Sequence, residues 1–159
     1  MDSYTVSFFG HRVPQNALCI ESRLHDIVAE LIRTKPYLEF LVGRDGEFGL
    51  LAASMVRQCK RTIRDDNSTL VWVLPYLTAD FRDNEESYLR YYDEIEVCEV
   101  SARGHYRSAH LTRNKAMVDR SDLILCCIDH EHGGAYQSIR YAKEQGKQII
   151  NLNEVSDHD

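Results

Sequence analysis

The chain has 159 residues, 43% hydrophobic and 28% charged, values that fit a folded globular protein and exclude a disordered one. Its length suits one domain, which can bury roughly two-thirds of its unfolded surface without a metal or disulfide staple. Nineteen basic against 25 acidic residues leave a net charge of −6, which argues against the broad basic field of a general nucleic-acid binder.

Residues 4–9 (YTVSFF) are β-branched and aromatic, stop at Gly10, and predict a strand. Ile20, Leu24, Ile27, Val28, Leu31 and Ile32 recur at three-and-four spacing and predict a helix that ends before Pro36. Residues 37–42 (YLEFLV) form the second predicted strand, and Phe48, Leu51, Ala52, Met55, Val56 and Cys59 mark the second helix. Residues 70–74 (LVWVL) are an unbroken apolar strand closed by Pro75. A polar, tyrosine-rich stretch follows from 76 to 93, with a short helix expected over 86–92 and a modest strand over 94–98. A long helix is expected from about His105 to Arg120, then an apolar strand over 122–128 and a loop holding Gly133 and Gly134. A helix over 136–145, closed by Gly146, leads to a last strand over 148–152, and the polar residues 153–159 are expected to fray. Strands that alternate with helices and read as continuous apolar runs belong to a parallel sheet covered on both faces. The predicted fold is one doubly wound, Rossmann-like α/β domain spanning residues 1–159.

The longest apolar run, 123–128, is far shorter than the roughly 20 residues of a membrane span. The N-terminus shows no basic segment followed by an apolar one, so no secretory signal is expected. Five cysteines, an odd number with no CxxC pair, fit reduced thiols in a cytoplasm. Cys126 and Cys127 lie in an apolar run, where cysteine acts as a small buried hydrophobe.

In an open parallel sheet, ligands bind outside the carboxyl ends of the strands, near the switch in strand order. Four segments near such ends carry glycine: Gly10-His11-Arg12, the run from Gly43 to Gly49, Ala102-Arg103-Gly104-His105, and His132-Gly133-Gly134-Ala135. Glycine at a strand-to-helix turn lets backbone N–H groups approach a phosphate, and the following helix start favours an anion. Arg12 and Arg44 add planar cationic forks, and Asp45 and Glu47 could accept hydrogen bonds from a ribose. A local cationic cleft is therefore compatible with the acidic total. Neither G-x-G-x-x-G nor G-x-x-x-x-G-K-[ST] is present, which sets aside dinucleotide-dependent dehydrogenases and P-loop enzymes.

The opening strand ending in FFGHR, the VG-x-x-G-x-F loop, and the segment TRNKAMVDRSDLILCCIDHEHGGAYQSIRYAKEQGKQIINL resemble the SLOG superfamily, which joins the Smf/DprA and LOG proteins. The resemblance is nearest to its small stand-alone YpsA-like bacterial members. It implies a Rossmann-like fold and a pocket for a nucleotide or a nucleotide-derived ligand such as an ADP-ribose derivative. The implied ligand-binding set is Gly10, His11, Arg12, Gly43, Arg44, Gly46, Glu47, Arg113, Asn114, Gly133, Gly134 and Ala135. LOG enzymes cleave the N-glycosidic bond of nucleoside monophosphates with P-G-G-x-G-T-x-x-E and an upstream arginine. Here the glycine pair stands at Gly133 and Gly134, and Arg140 occupies the place of the catalytic glutamate. Arg113 matches the upstream arginine, and Glu47 or Glu131 would have to supply the carboxylate that supports a ribosyl cation.

The leading expectation is thus a cytoplasmic nucleotide-ligand sensor with no separate cofactor. A LOG-like N-glycosidase or nucleoside transferase is the alternative. Single-stranded DNA binding, as on the DprA side, is disfavoured by the charge. His130 and His132 flank Glu131 as an H-x-H pair, but no third metal ligand is evident by spacing, so no metal is assigned. Tyr88, Tyr91 and Tyr92 suit either a lid stacking on a base or a contact between two copies, and a homodimer is expected.

Overall fold

The computed structural model describes residues 2–11 and 17–153. Six strands are present among them: β1 (Tyr4–Gly10), β2 (Leu38–Val42), β3 (Ser68–Leu74), β4 (Glu94–Val97), β5 (Leu123–Cys127) and β6 (Gln148–Asn151). They pair in parallel throughout, in the order β4-β3-β2-β1-β5-β6. Seven helices accompany them: α1 (Ala17–Thr34), α2 (Glu47–Thr62), α3 (Ala79–Asp83), α4 (Glu85–Tyr91), α5 (Glu99–Arg103), α6 (Ala109–Asp119) and α7 (Gly134–Glu144). The sheet is open and Rossmann-like, and the strand order reverses between β1 and β5.

The period of two along each strand divides the core into two layers. Val6 and Phe8 of β1, Phe40 of β2 and Leu125 of β5 face Ile20, Leu24, Phe48 and Val56 of α1 and α2. Phe9, Leu41, Val73 and Ile124 face the other way, onto Met117 and Val118 of α6 and Ile139 and Ala142 of α7. Both faces of the central strands are covered, which explains why LVWVL and LILCC carry no polar alternation. Cys126 and Cys127 are core groups, and burial raises the Cys127 thiol to about 11.

Two expectations change in the structure. The helix expected from His105 begins later: a short 3-10 turn covers Tyr106–Ser108, and α6 starts at Ala109. The His105 side chain accepts the Arg107 N–H at 3.2 Å, which stops the preceding residues from joining the α-helix. The tyrosine-rich stretch folds onto its own chain. Trp72 packs edge-on against Phe81 and Tyr88, and Tyr92 is buried beside it. Burial pushes the Tyr92 phenol up to about 12. These rings form an intramolecular cover over the β3 side of the sheet rather than a free stacking platform.

The end of β1 shows why glycine is needed there. A Cβ on Gly10 would sit 2.5 Å from Phe48 Cγ, because the α2 ring lies directly over that backbone. Gly10→Ala must therefore displace a fully buried ring, a strain of about 1–3 kcal/mol. The expected outcome is a melting temperature lowered by several degrees. Adding Phe48→Leu should recover part of the loss, a coupling that chemical denaturation of the two single variants and the double variant will measure.

Candidate functional site

A cavity of about 390 Å³ opens at the carboxyl ends of β1 and β2 beside the strand-order switch, a size that accommodates a small ligand. Phe8, Phe9, Gly10 and His11 form one side, and the β2–α2 loop contributes Gly43, Arg44, Asp45, Gly46 and Gly49. Arg107, His110, Leu111 and Asn114 form the wall from the turn into α6, and Gly134 and Ala135 close the rim. Two helices, α2 and α7, begin at this cavity. Their N-cap positions are Gly46 and Gly133, which have no side chain to satisfy the first-turn N–H groups. Gly133 holds φ at 95°, a left-handed conformation that glycine adopts without strain.

Of the residues expected to bind ligand, Gly10, His11, Gly43, Arg44, Gly46, Asn114, Gly134 and Ala135 come together on this one wall. Gly133 adjoins it as the cap of α7. Arg12 lies outside the described residues. Glu47 stands in the first turn of α2, exposed and off the cavity lining. Glu131 lines a second cavity with Asp129 and His130. Neither proposed catalytic glutamate therefore borders this first cavity, and Asp45 is the carboxylate among its described lining residues.

Arg113 requires a correction. Its side chain is completely buried and does not line the cavity, whereas the sequence places it there as a ligand-facing cation. The guanidinium lies beneath the β2–α2 loop and binds the protein itself. Nη1 donates to the Val73 carbonyl at 2.9 Å and to the Gly43 carbonyl at 3.2 Å. Nε donates to Asn114 Oδ1 at 2.9 Å, and Nη2 forms an ion pair with Asp45. Burial pulls the Arg113 pKa below its ordinary value, and the Asp45 carboxylate partly offsets that pull. Asn114 then donates to Ser138 Oγ at 3.1 Å, and Ser138 donates to the Gly134 carbonyl at 2.9 Å. One polar chain thus runs from Asp45 to the start of α7. Gly43 is glycine for this reason, since a Cβ there would come within 3.0 Å of the guanidinium carbon.

Arg44 is held differently. It adopts φ of 63°, and its guanidinium lies 4.6 Å from the Tyr88 ring centre and 5.2 Å from that of Trp72. It also pairs with Asp80 at 3.5 Å. The tyrosine cover therefore anchors one loop of the cavity.

Sequence reading missed His110 and Leu111, which join Arg107 and the expected Asn114 in one wall. The signal was available, because these positions are spaced by three, four and seven residues along one helical face. It missed Asp129 as well, and no spacing pattern could have revealed it. His11 Nδ1 lies 3.2 Å and His130 Nδ1 2.6 Å from the same Asp129 oxygen, although His11 is 118 residues away in sequence. The hydrogen bond from His130, and then that from His11, hold the Asp129 carboxyl below its ordinary value.

Removing the guanidinium would leave the Val73 carbonyl and the Asn114 amide oxygen without this donor, and the Gly43 carbonyl with only the Trp72 indole N–H at 3.3 Å. Arg113→Met is expected to cost about 3–5 kcal/mol. Arg113→Lys should recover little, because a point charge cannot reproduce the planar fork. Urea unfolding of the three proteins checks both statements.

No family model and no curated protein matches the chain. Solved structures do. DNA processing protein A (DprA) from Streptococcus pneumoniae matches with a TM-score of 0.66 at 12% identity, over 99% of this chain and 52% of that one. This chain therefore spans about half of that protein. DNA processing protein A from Helicobacter pylori, described for its single-stranded DNA binding mode, matches with a TM-score of 0.62 at 14% identity, over 96% and 68%. The molybdenum cofactor binding protein of Rippkaea orientalis matches with a TM-score of 0.61 at 14% identity, over 95% and 77%. The chain thus has a fold similar to that of DprA and of a molybdenum cofactor binding protein.

Proposed function

We propose that the chain binds a small phosphate-bearing ligand of nucleotide type, such as an ADP-ribose derivative, and acts as a binding protein or sensor. The carrying observation is that two glycine-capped helix starts, those of α2 and α7, border one cavity at the strand-order switch. Their first-turn N–H groups and partial positive charge favour an anion. Arg107 and His110, both exposed on the opposite wall, complement that charge. Among proteins of this fold, DprA from Helicobacter pylori binds single-stranded DNA and the Rippkaea orientalis protein binds a molybdenum cofactor, so the fold supports phosphate-bearing ligands of different sizes. The small YpsA-like branch and a cytoplasmic setting belong to the same proposal. No helix among the described residues is long and apolar enough to cross a membrane.

The glycosidase reading finds less support. Its carboxylate would have to reach an anomeric carbon, yet Glu47 and Glu131 stand off the cavity wall and Asp45 is already paired with Arg113 and His110. DNA binding of the DprA kind would need a basic track that the net charge of −6 does not favour. The expected homodimer rests on the segment around α3 and α4, where Leu77 and Leu89 remain 50% and 55% exposed.

Thermal-shift titration with AMP, ADP, ADP-ribose and inorganic phosphate tests the proposal. A ligand at about 100 times its dissociation constant adds about 2.7 kcal/mol. That corresponds to a rise of roughly 5–10 °C for a chain of this size. Arg107→Ala, at an exposed position, should weaken binding roughly tenfold through loss of a charge-assisted hydrogen bond while leaving the free protein's melting unchanged. No shift with any of these ligands would overturn the proposal. Release of free base from AMP would favour the glycosidase instead, and salt-sensitive binding of an oligonucleotide would favour the DNA reading. Light scattering at micromolar concentration should give twice the 18.4 kDa chain mass, and a persistent monomer would remove the dimer.

A further inference from the structure

Beside the cavity, at the ends of β1 and β5, three metal-ligating groups converge. The nearest ligand atoms of His11, Asp129 and His130 all lie within 4.8 Å of one another. The strands hold them in register. Gly10 pairs with Cys127, the His11 N–H donates to the Cys127 carbonyl at 2.9 Å, and the ligating residues follow directly. Asn151 fixes the exit of β5 from the other side, since its Oδ1 accepts the Ile128 N–H and its Nδ2 donates to the Ile128 carbonyl, both at 3.1 Å. The site is thus set by the paired ends of two neighbouring strands.

Both ring nitrogens of His11 are fixed by the β5 exit loop. Nε2 lies 3.1 Å from the His132 carbonyl, which can only accept, so Nε2 carries the ring proton. The Asp129 N–H approaches Nδ1 at 3.3 Å. Nδ1 also faces the Asp129 carboxylate at 3.2 Å. A carbonyl that fixes one imidazole nitrogen as the donor and leaves the other as the ligand is the usual outer support of a metal-bound histidine.

We propose that His11 Nδ1, His130 Nδ1 and an Asp129 carboxylate oxygen bind a divalent first-row transition metal ion, with its remaining positions open to water or to an anion. Nitrogen and oxygen ligands of this kind suit zinc and its neighbours better than magnesium or calcium. Tetrahedral zinc with bonds near 2.0–2.1 Å separates adjacent ligand atoms by about 3.3 Å. The His11–Asp129 distance already matches, whereas the His11 and His130 rings stack face to face with centroids 3.5 Å apart, so the exposed His130 ring must swing out of that stack to aim its Nδ1 at the same ion. The ring of His132 lies tilted against that of His130, centroids 4.1 Å apart, but is not a ligand, and its residue contributes the supporting carbonyl. The H-x-H pair of the sequence is thus half of a site completed by the first strand. The inference does not depend on what the neighbouring cavity holds.

The test is calorimetric titration of the EDTA-stripped full chain with zinc chloride, without nucleotide, together with cobalt(II) absorption as a report on coordination. One ion per chain at micromolar or tighter affinity is expected, with cobalt bands characteristic of nitrogen and oxygen ligands. His130→Ala and Asp129→Asn, both at exposed positions, should each weaken binding at least tenfold, and so should His11→Ala. His132→Ala and His25→Ala should bind like the parent. Absence of stoichiometric binding would overturn the proposal, and so would affinity unchanged in His130→Ala and Asp129→Asn proteins that melt normally.

Discussion

The burial of a single guanidinium constrains much of what surrounds it. Arg113 has no solvent to satisfy it, so the β2–α2 loop, the end of β3 and the first turn of α7 must all present acceptors or relays at fixed distances. A planar cation with five donors in a rigid fork transmits geometry as well as charge. Gly43 loses its option of a side chain, Asp45 is committed to the pair, and Asn114 is oriented toward Ser138. The cavity floor is therefore a polar network whose members are satisfied by one another, which gives it a unique arrangement. The glycine loops above it inherit their positions.

This arrangement separates two kinds of positive charge that look alike in the sequence. Arg113 holds the site together from below, whereas Arg107 and His110 stand on its wall. Arg44 belongs to neither group, because the aromatic cover on Trp72 and the carboxylate of Asp80 occupy its guanidinium. A phosphate entering the cavity would meet backbone N–H groups and the α6 wall first. Such a division keeps the costly buried cation out of ligand exchange and leaves the exchangeable contacts to exposed groups.

The sheet was legible because its central strands are covered on both faces, and runs such as LVWVL and LILCC have few other uses. Helices α1 and α2 were legible from their three-and-four spacing, and the end of α7 from Gly146. The start of α6 was not, since His105 competes for a backbone N–H through its side chain, a local contact that hydrophobic spacing does not register. Within the candidate site, the glycines could be located because strand-end turns draw on few residue types. The burial of Arg113 could not, because its exposure depends on three loops that meet only in the folded chain. Asp129 and His11 share the same limitation, being adjacent through the β1–β5 pairing rather than along the chain. The role of the tyrosines was left between cover, lid and interface, and ring packing against Trp72 decides for cover.

The clamp from Asn151 ties two parts of the sheet with different security. β6 is an edge strand of four residues with a single neighbour, the kind of element that opens most readily in local fluctuations. Its last residue nevertheless grips both backbone groups of Ile128, immediately before Asp129. Order in the β5 exit loop therefore rises and falls with the breathing of that edge. The time for which the Asp129 carboxylate holds its place is governed by the edge, while the opposite wall, supported by Arg113, moves with the far more slowly opening centre of the sheet.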